Sequence, residues 1–122
     1  MTELQITSTL PLKSGHEIPI LGFGTCASET CTQSAVAALR NSYIHIDTAQ
    51  IYKNEAETGA AIAQSKISPS EMFVCSKLWD DMYTREGALA GVESSLLIVV
   101  CCARQIGHQL ACTNTIVGAF LA

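Results

Sequence analysis

Three side chains of different chemistry, Asp47, Tyr52 and Lys77, carry the reading of this chain. A phenol, with a reference pKa of about 10, exchanges protons poorly at neutral pH unless its anion is stabilised. A lysine ammonium beside a phenol supplies that stabilisation, and a carboxylate beside the lysine holds the ammonium in place. An acid, a phenol and an amine so combined can hand a proton to an oxygen that is gaining negative charge. Singly, each has an ordinary structural use: an Asp at a strand end caps or braces a loop, a Tyr before a helix packs, and a Lys after a strand is a solvated charge.

The elements around them decide whether they can meet. Residues 43–47 read as a strand, and 54–66 as a helix with acids in its first turn and Lys66 in its last, ended by Pro69. Residues 72–77, an almost continuous apolar run ending in Ser76 and Lys77, read as a strand buried on both faces of a parallel sheet. Asp47 and Lys77 then each end a strand and Tyr52 lies in the loop after the first, so all three fall at the same end of the sheet. Upstream, residues 10–20 have the grammar of a hairpin turning at Gly15, and 19–25 read as a further strand in which Gly22 and Gly24 permit close approach and Thr25 ends with a hydroxyl. Thr30 or Thr32 caps a helix through 34–41, and another helix follows over 84–97. Three β-α units at roughly 30-residue spacing predict a parallel α/β sheet. The pattern alone does not separate a barrel from an open sheet.

The stretch from Tyr43 to Glu55, with Lys77 beyond it and Leu21-Gly22-Phe23-Gly24-Thr25 before it, resembles the aldo-keto reductases. The resemblance covers about residues 10–97 and implies the N-terminal part of a (β/α)8 TIM barrel preceded by a β-hairpin that closes its bottom. It accounts for three of the eight β-α units of a fold whose usual size is about 250 residues, so the barrel is expected to be incomplete in this chain. By the same resemblance Tyr52 is the general acid/base, Lys77 tunes it, and Asp47 supports Lys77 and lies near the nicotinamide ribose of NADP(H). Gly24 and Thr25 would line the cofactor cleft; Cys26, next in sequence, either borders the cofactor or packs. Trp79, followed by Asp80 and Asp81, either forms part of a wall for a small carbonyl substrate or covers the barrel rim. Ser42 and Ile44 replace the Gly and Arg usual around the second strand, and Thr58 stands where an aliphatic residue is common.

Composition bounds the alternatives. The chain has 122 residues, 48% hydrophobic and 15% charged, which fits a globular domain and not a disordered one. A net charge of −4 with no basic run lacks the electrostatic footprint of nucleic-acid binding. The first ten residues have neither the basic nor the apolar region of a signal peptide. The six cysteines show no CxxC pair and no metal-ligand spacing, and read as reduced thiols of a cytoplasmic protein with no metal.

Beyond residue 97 the resemblance stops. The chain divides, on this reading, into a partial NADP-dependent oxidoreductase domain over 1–97 and a divergent apolar tail over 98–122. Arg104, Gln105, His108, Gln109, Thr113 and Asn114 interrupt the tail short of a membrane span, which needs about 18 apolar residues. His108 lies 31 positions after Lys77, close to the family's Lys-to-His separation, but Arg104 to Gly107 precede it in place of an apolar strand, so it reads as incidental. The resemblance therefore implies an NADPH-dependent reduction of an aldehyde or ketone, with little turnover expected from these residues alone. The alternative is a catalytically inactive truncated or alternatively spliced product that self-associates or aggregates through exposed sheet edges. Ile98 to Cys102, apolar and uncharged, is expected to add a β-prone segment.

Overall fold

The computed structural model describes residues 3–26, 29–104 and 115–117. Strands β1 (Thr9–Pro11) and β2 (Glu17–Pro19) form an antiparallel hairpin. Its turn closes at Gly15, whose φ of 86° lies where only glycine is unstrained. Strand β3 (Phe23–Gly24), helix α1 (Cys31–Arg40), strand β4 (His45–Asp47), helix α2 (Glu55–Ser65), strand β5 (Phe73–Ser76), helix α3 (Arg85–Arg104) and strand β6 (Thr115–Val117) follow. The last four strands pair in parallel in the order β3-β4-β5-β6. The expected parallel sheet is present, with a fourth strand drawn from the tail.

Alternation along the strands assigns the two faces. Ile46 and Val74 point to the helix side, where they join Leu39, Ile62, Ala63, Met72 and Val99 in one buried cluster. Ala35, Val36 and Ala61 form a second cluster between α1 and α2, and Phe23 packs against both. The opposite face carries Gly22, Gly24, His45, Asp47 and Cys75. At its lower end His45 Nδ1 lies 3.1 Å from the Pro19 carbonyl, and its ring meets Phe73 edge-on at 5.0 Å. A carbonyl only accepts, so Nδ1 carries the proton. That contact seats the hairpin on the sheet, and it requires bare backbone at Gly22, where a Cβ would fall 2.9 Å from His45 Nδ1.

Helix α1 ends in a Schellman arrangement: Tyr43 N–H bonds the Ala38 carbonyl at 3.1 Å and Ser42 N–H bonds that of Leu39 at 3.2 Å. Ser42 takes the left-handed position, with φ 68°, which accounts physically for the glycine usual there. The helix is preceded by Thr30, whose hydroxyl meets Ser34 at 3.1 Å and makes no cap bond; Thr32 donates instead to the Glu57 carbonyl on α2 at 3.2 Å. Neither threonine caps α1 with its side chain. Thr58 keeps its place in the core by donating to the Asn54 carbonyl at 3.0 Å.

Helix α3 runs on through residues 98–104, past the point where the resemblance stops. Ile98 to Cys102, β-prone by composition, are helical here. The segment has no Gly or Pro, Val99 is buried against the sheet, and burial of a helical stripe outweighs the modest helix penalty of β-branched residues. At Gly91 the same helix presents bare backbone to Leu78 and Met82, where a Cβ would fall 2.5 Å from Leu78 Cδ2 and 2.7 Å from Met82 Sδ. Among the described residues no helix is long and apolar enough to cross a membrane.

Candidate active site

The C-terminal ends of β4 and β5 lie side by side, with Asp47 opposite Cys75 in register and Lys77 two residues further on. The ladder continues one step past the strand, as Thr48 N–H bonds the Cys75 carbonyl at 2.8 Å. Extended Ala49, fully buried, then leads into one 3-10 turn over Gln50–Tyr52. Tyr52 N–H closes that turn on the Ala49 carbonyl at 3.0 Å, and left-handed Lys53, with φ 55°, redirects the chain into α2. One tight turn thus returns the Tyr52 ring over the strand ends from which Asp47 and Lys77 project.

The three side chains meet there. Lys77 Nζ donates to Asp47 Oδ1 at 2.7 Å, to Oδ2 at 2.6 Å and to the Thr48 carbonyl at 3.1 Å. It also stands 5.2 Å from the centroid of the Tyr52 ring. An ammonium has three protons, and each has an acceptor on the β4 end; toward Tyr52 the amine therefore acts chiefly through its charge. Burial, the largest single effect, presses the Lys77 pKa down, but the hydrogen bonds and charge of Asp47, with a smaller contribution from Tyr52, outweigh it, and the net direction is upward from 10.5. The lysine stays cationic across the neutral range. The pair is open to solvent on one side, with Lys77 27% and Asp47 37% exposed, so the carboxylate keeps lone pairs for a further donor.

The residues expected to line a cofactor cleft are placed differently from one another. Gly24 pairs with Asp47 in register and has no atom within 4 Å of where a Cβ would sit, leaving an open shelf beside the Asp47–Lys77 pair. Thr25 is buried; its N–H and its hydroxyl both turn onto the Asp47 carbonyl, at 3.0 and 3.4 Å, so its side chain staples β3 to β4. Cys26 is exposed at the surface of the β3–α1 loop.

On the other side of Tyr52 a cleft of about 690 Å³ is lined by Ala49, Ile51, Tyr52, Lys77, Leu78, Trp79, Asp80 and Tyr83. Trp79 is on its wall. Sequence reasoning missed Tyr83, which the 3-10 turn Asp80–Met82 brings back beside Trp79; an aromatic four residues on, about one helical turn, was the available signal. It also missed the buried trio Asn54, Glu55 and Ser76, which sits directly behind Tyr52 and Lys77. Among the described residues no group of three or more His, Cys, Asp or Glu is arranged to hold a metal. His108 lies outside the described residues, as does Cys112.

Set beside known proteins, residues 21–98 match the model of the Aldo/keto reductase family. The glyoxal reductase of Bacillus subtilis is 39% identical over 94 residues, 75% of this chain and 34% of its own. Aldehyde reductase YPR1 of Saccharomyces cerevisiae is 47% identical over 75 residues, 60% of this chain and 24% of its own. Among solved structures, an aldo/keto reductase from Brucella melitensis superposes with a TM-score of 0.74 at 33% identity, covering 81% of this chain and 38% of that one. A Bombyx mori aldo-keto reductase solved in complex with NADP gives 0.73 at 29% identity, covering 80% and 36%. The chain spans between 24% and 34% of the length of these two curated relatives.

Proposed function

Since this chain belongs to the aldo/keto reductase family, and its open parallel sheet is the N-terminal part of that family's (β/α)8 barrel, we propose that it carries the proton-handling part of an NADP(H)-dependent oxidoreductase site. The reaction is reduction of an aldehyde or ketone to the alcohol, and its reverse. One observation carries the reading: Lys77 is held bidentately by Asp47 while standing over the face of Tyr52.

Tyr52 is the general acid/base. As the carbonyl oxygen gains charge it takes the phenol proton, and the ammonium of Lys77 balances the phenolate left behind. Asp47 orients that ammonium, and its remaining lone pairs suit a ribose hydroxyl. Bound NADPH supplies the hydride that the carbonyl carbon receives. The residues fit the cofactor, because the bare shelf at Gly24 adjoins Asp47 and admits a flat ring that a side chain would exclude. Gly24, the backbone of Thr25, and Cys26 would border it. Trp79 and Tyr83, both substantially exposed beside Tyr52, would form the wall against the carbonyl compound.

The open sheet favours a second reading, a catalytically silent chain that self-associates. Ile20 and Leu21, half-exposed just before β3, lie at the edge where no further strand pairs among the described residues. The test is NADPH oxidation by the purified chain with a panel of small aldehydes, beside Tyr52→Phe, with size-exclusion chromatography of both. Turnover abolished by the substitution supports the first reading. No turnover in either protein, with oligomeric or void-volume elution, overturns it in favour of the second.

A further inference from the structure

Two consecutive residues just after Tyr52 are almost entirely buried although both are polar: Asn54 is 6% exposed and Glu55 4%. Neither does the job its position suggests. Asn54 sits at the amino end of α2 yet makes no side-chain cap bond, and its Oδ1 has no partner. Its Nδ2 instead donates to the Thr25 carbonyl at 2.7 Å, across to the β3–α1 loop. Glu55, the first residue of α2, accepts the Ser76 hydroxyl at 2.6 Å. Ser76 is the last residue of β5 and immediately precedes Lys77.

Burying a carboxylate and an amide is costly unless they are bonded, and an amide oxygen left without a partner adds to that cost. A core Ala or Val at either position would avoid it. What the polar pair achieves is a link that no apolar residue supplies. Thr25 staples β3 to the Asp47 carbonyl, Asn54 staples Thr25 to the turn carrying Tyr52, and Glu55 staples the same turn to the strand end that delivers Lys77. The end of β3 with Gly24, the turn bearing Tyr52 and the end of β5 before Lys77 are thereby joined behind the site. We propose that Asn54 and Glu55 are positioning residues: their side chains clasp the β3–α1 loop and the end of β5 to the Tyr52 turn, and so fix the distance between Tyr52 and Lys77. This rests on the reading of Tyr52 and Lys77 given above, but its geometry can be measured without turnover.

The test is amide hydrogen exchange by NMR on the full chain, with a pH titration of the Lys77 13Cε signal. Glu55→Ala and Asn54→Ser are expected to speed exchange at Tyr52 and Thr25 at least tenfold while core amides at Ile46 and Val74 stay within about twofold. The Lys77 midpoint is expected to fall as Tyr52 draws away. Glu55→Gln, which keeps an acceptor for Ser76, is expected to match the parent in both readouts. Uniform acceleration across core and loops, or none with an unmoved Lys77 midpoint, overturns the clasp. Should Glu55→Ala not fold, Asn54→Ser carries the same test, because serine still suits the helix start but falls short of Thr25. Absence of NADPH oxidation together with oligomeric elution would overturn the proposed activity and leave this outcome standing.

Discussion

Replacing Ser42 by glycine should stabilise the protein. The residue occupies the C′ position of the Schellman motif that ends α1, with φ 68° and both of the motif's hydrogen bonds in place. An L-residue held in this region costs about 1–2 kcal/mol through the clash of Cβ with backbone, a penalty glycine escapes. Glycine brings a cost of its own, about 0.5–1 kcal/mol of additional chain entropy lost on folding. Ser42 is exposed and its hydroxyl makes no bond in the motif, so nothing else is forfeited. The balance is a gain of about 0.5–1 kcal/mol, or roughly 3–5 °C in Tm for a domain of this size. Urea denaturation of the parent, Ser42→Gly and Ser42→Ala measures it. The alanine variant, still carrying a Cβ, should stay within about 0.5 kcal/mol of the parent. A glycine variant no more stable than the alanine one would refute the argument that the left-handed turn, and not the serine, sets the cost.

Other expectations are equally direct. The folded-state pKa of Lys77 lies above 10.5, so its contribution to stability is fully present below that value and is lost as pH rises through the folded value. Denaturation profiles taken from neutral to strongly alkaline pH should therefore fall more steeply for the parent than for Lys77→Met. Gly22→Ala drives a methyl into the His45 ring, already held by Pro19 and Phe73, and should cost about 1–3 kcal/mol in a urea titration. Gly24→Ala, whose Cβ meets nothing, should cost under about 0.5 kcal/mol and weaken only cofactor affinity, read by nucleotide fluorescence titration. In mass-spectrometric thiol labelling of the native chain, Cys26 should react at once and Cys31, buried behind Thr58, only as the protein opens.

What could be read in advance was whatever depends on periodicity and on strand order. The β-α alternation alone puts Asp47, Tyr52 and Lys77 at one end of the sheet, because parallel strands put all their C-terminal ends together. The Gly15 turn and the helix between Asn54 and Lys66 were legible for the same local reasons. What was not legible depends on where a side chain turns. Thr25 offers the same hydroxyl whether it faces a cleft or its neighbour's carbonyl, and only the β3–β4 register decides that it faces Asp47. Thr30 and Thr32 both look like caps, yet α2 lies close enough for Thr32 to bond across to it. Residues 98–102 have strand propensity, and it took the buried seat of Val99 to make them helix.

The gap at Gly91 has a mechanical consequence. With no side chain between them, Leu78 and Met82 rest directly on the axis of α3, and the residues between those two anchors include Trp79 and Asp80 of the cleft wall. The wall and the helix are thus geared. If the cleft beside Tyr52 takes a substrate as proposed, widening it would tilt a twenty-residue lever that is itself braced on the sheet through Val99. On that reading, tolerance for bulk would follow the stiffness of a helix and not the looseness of a loop.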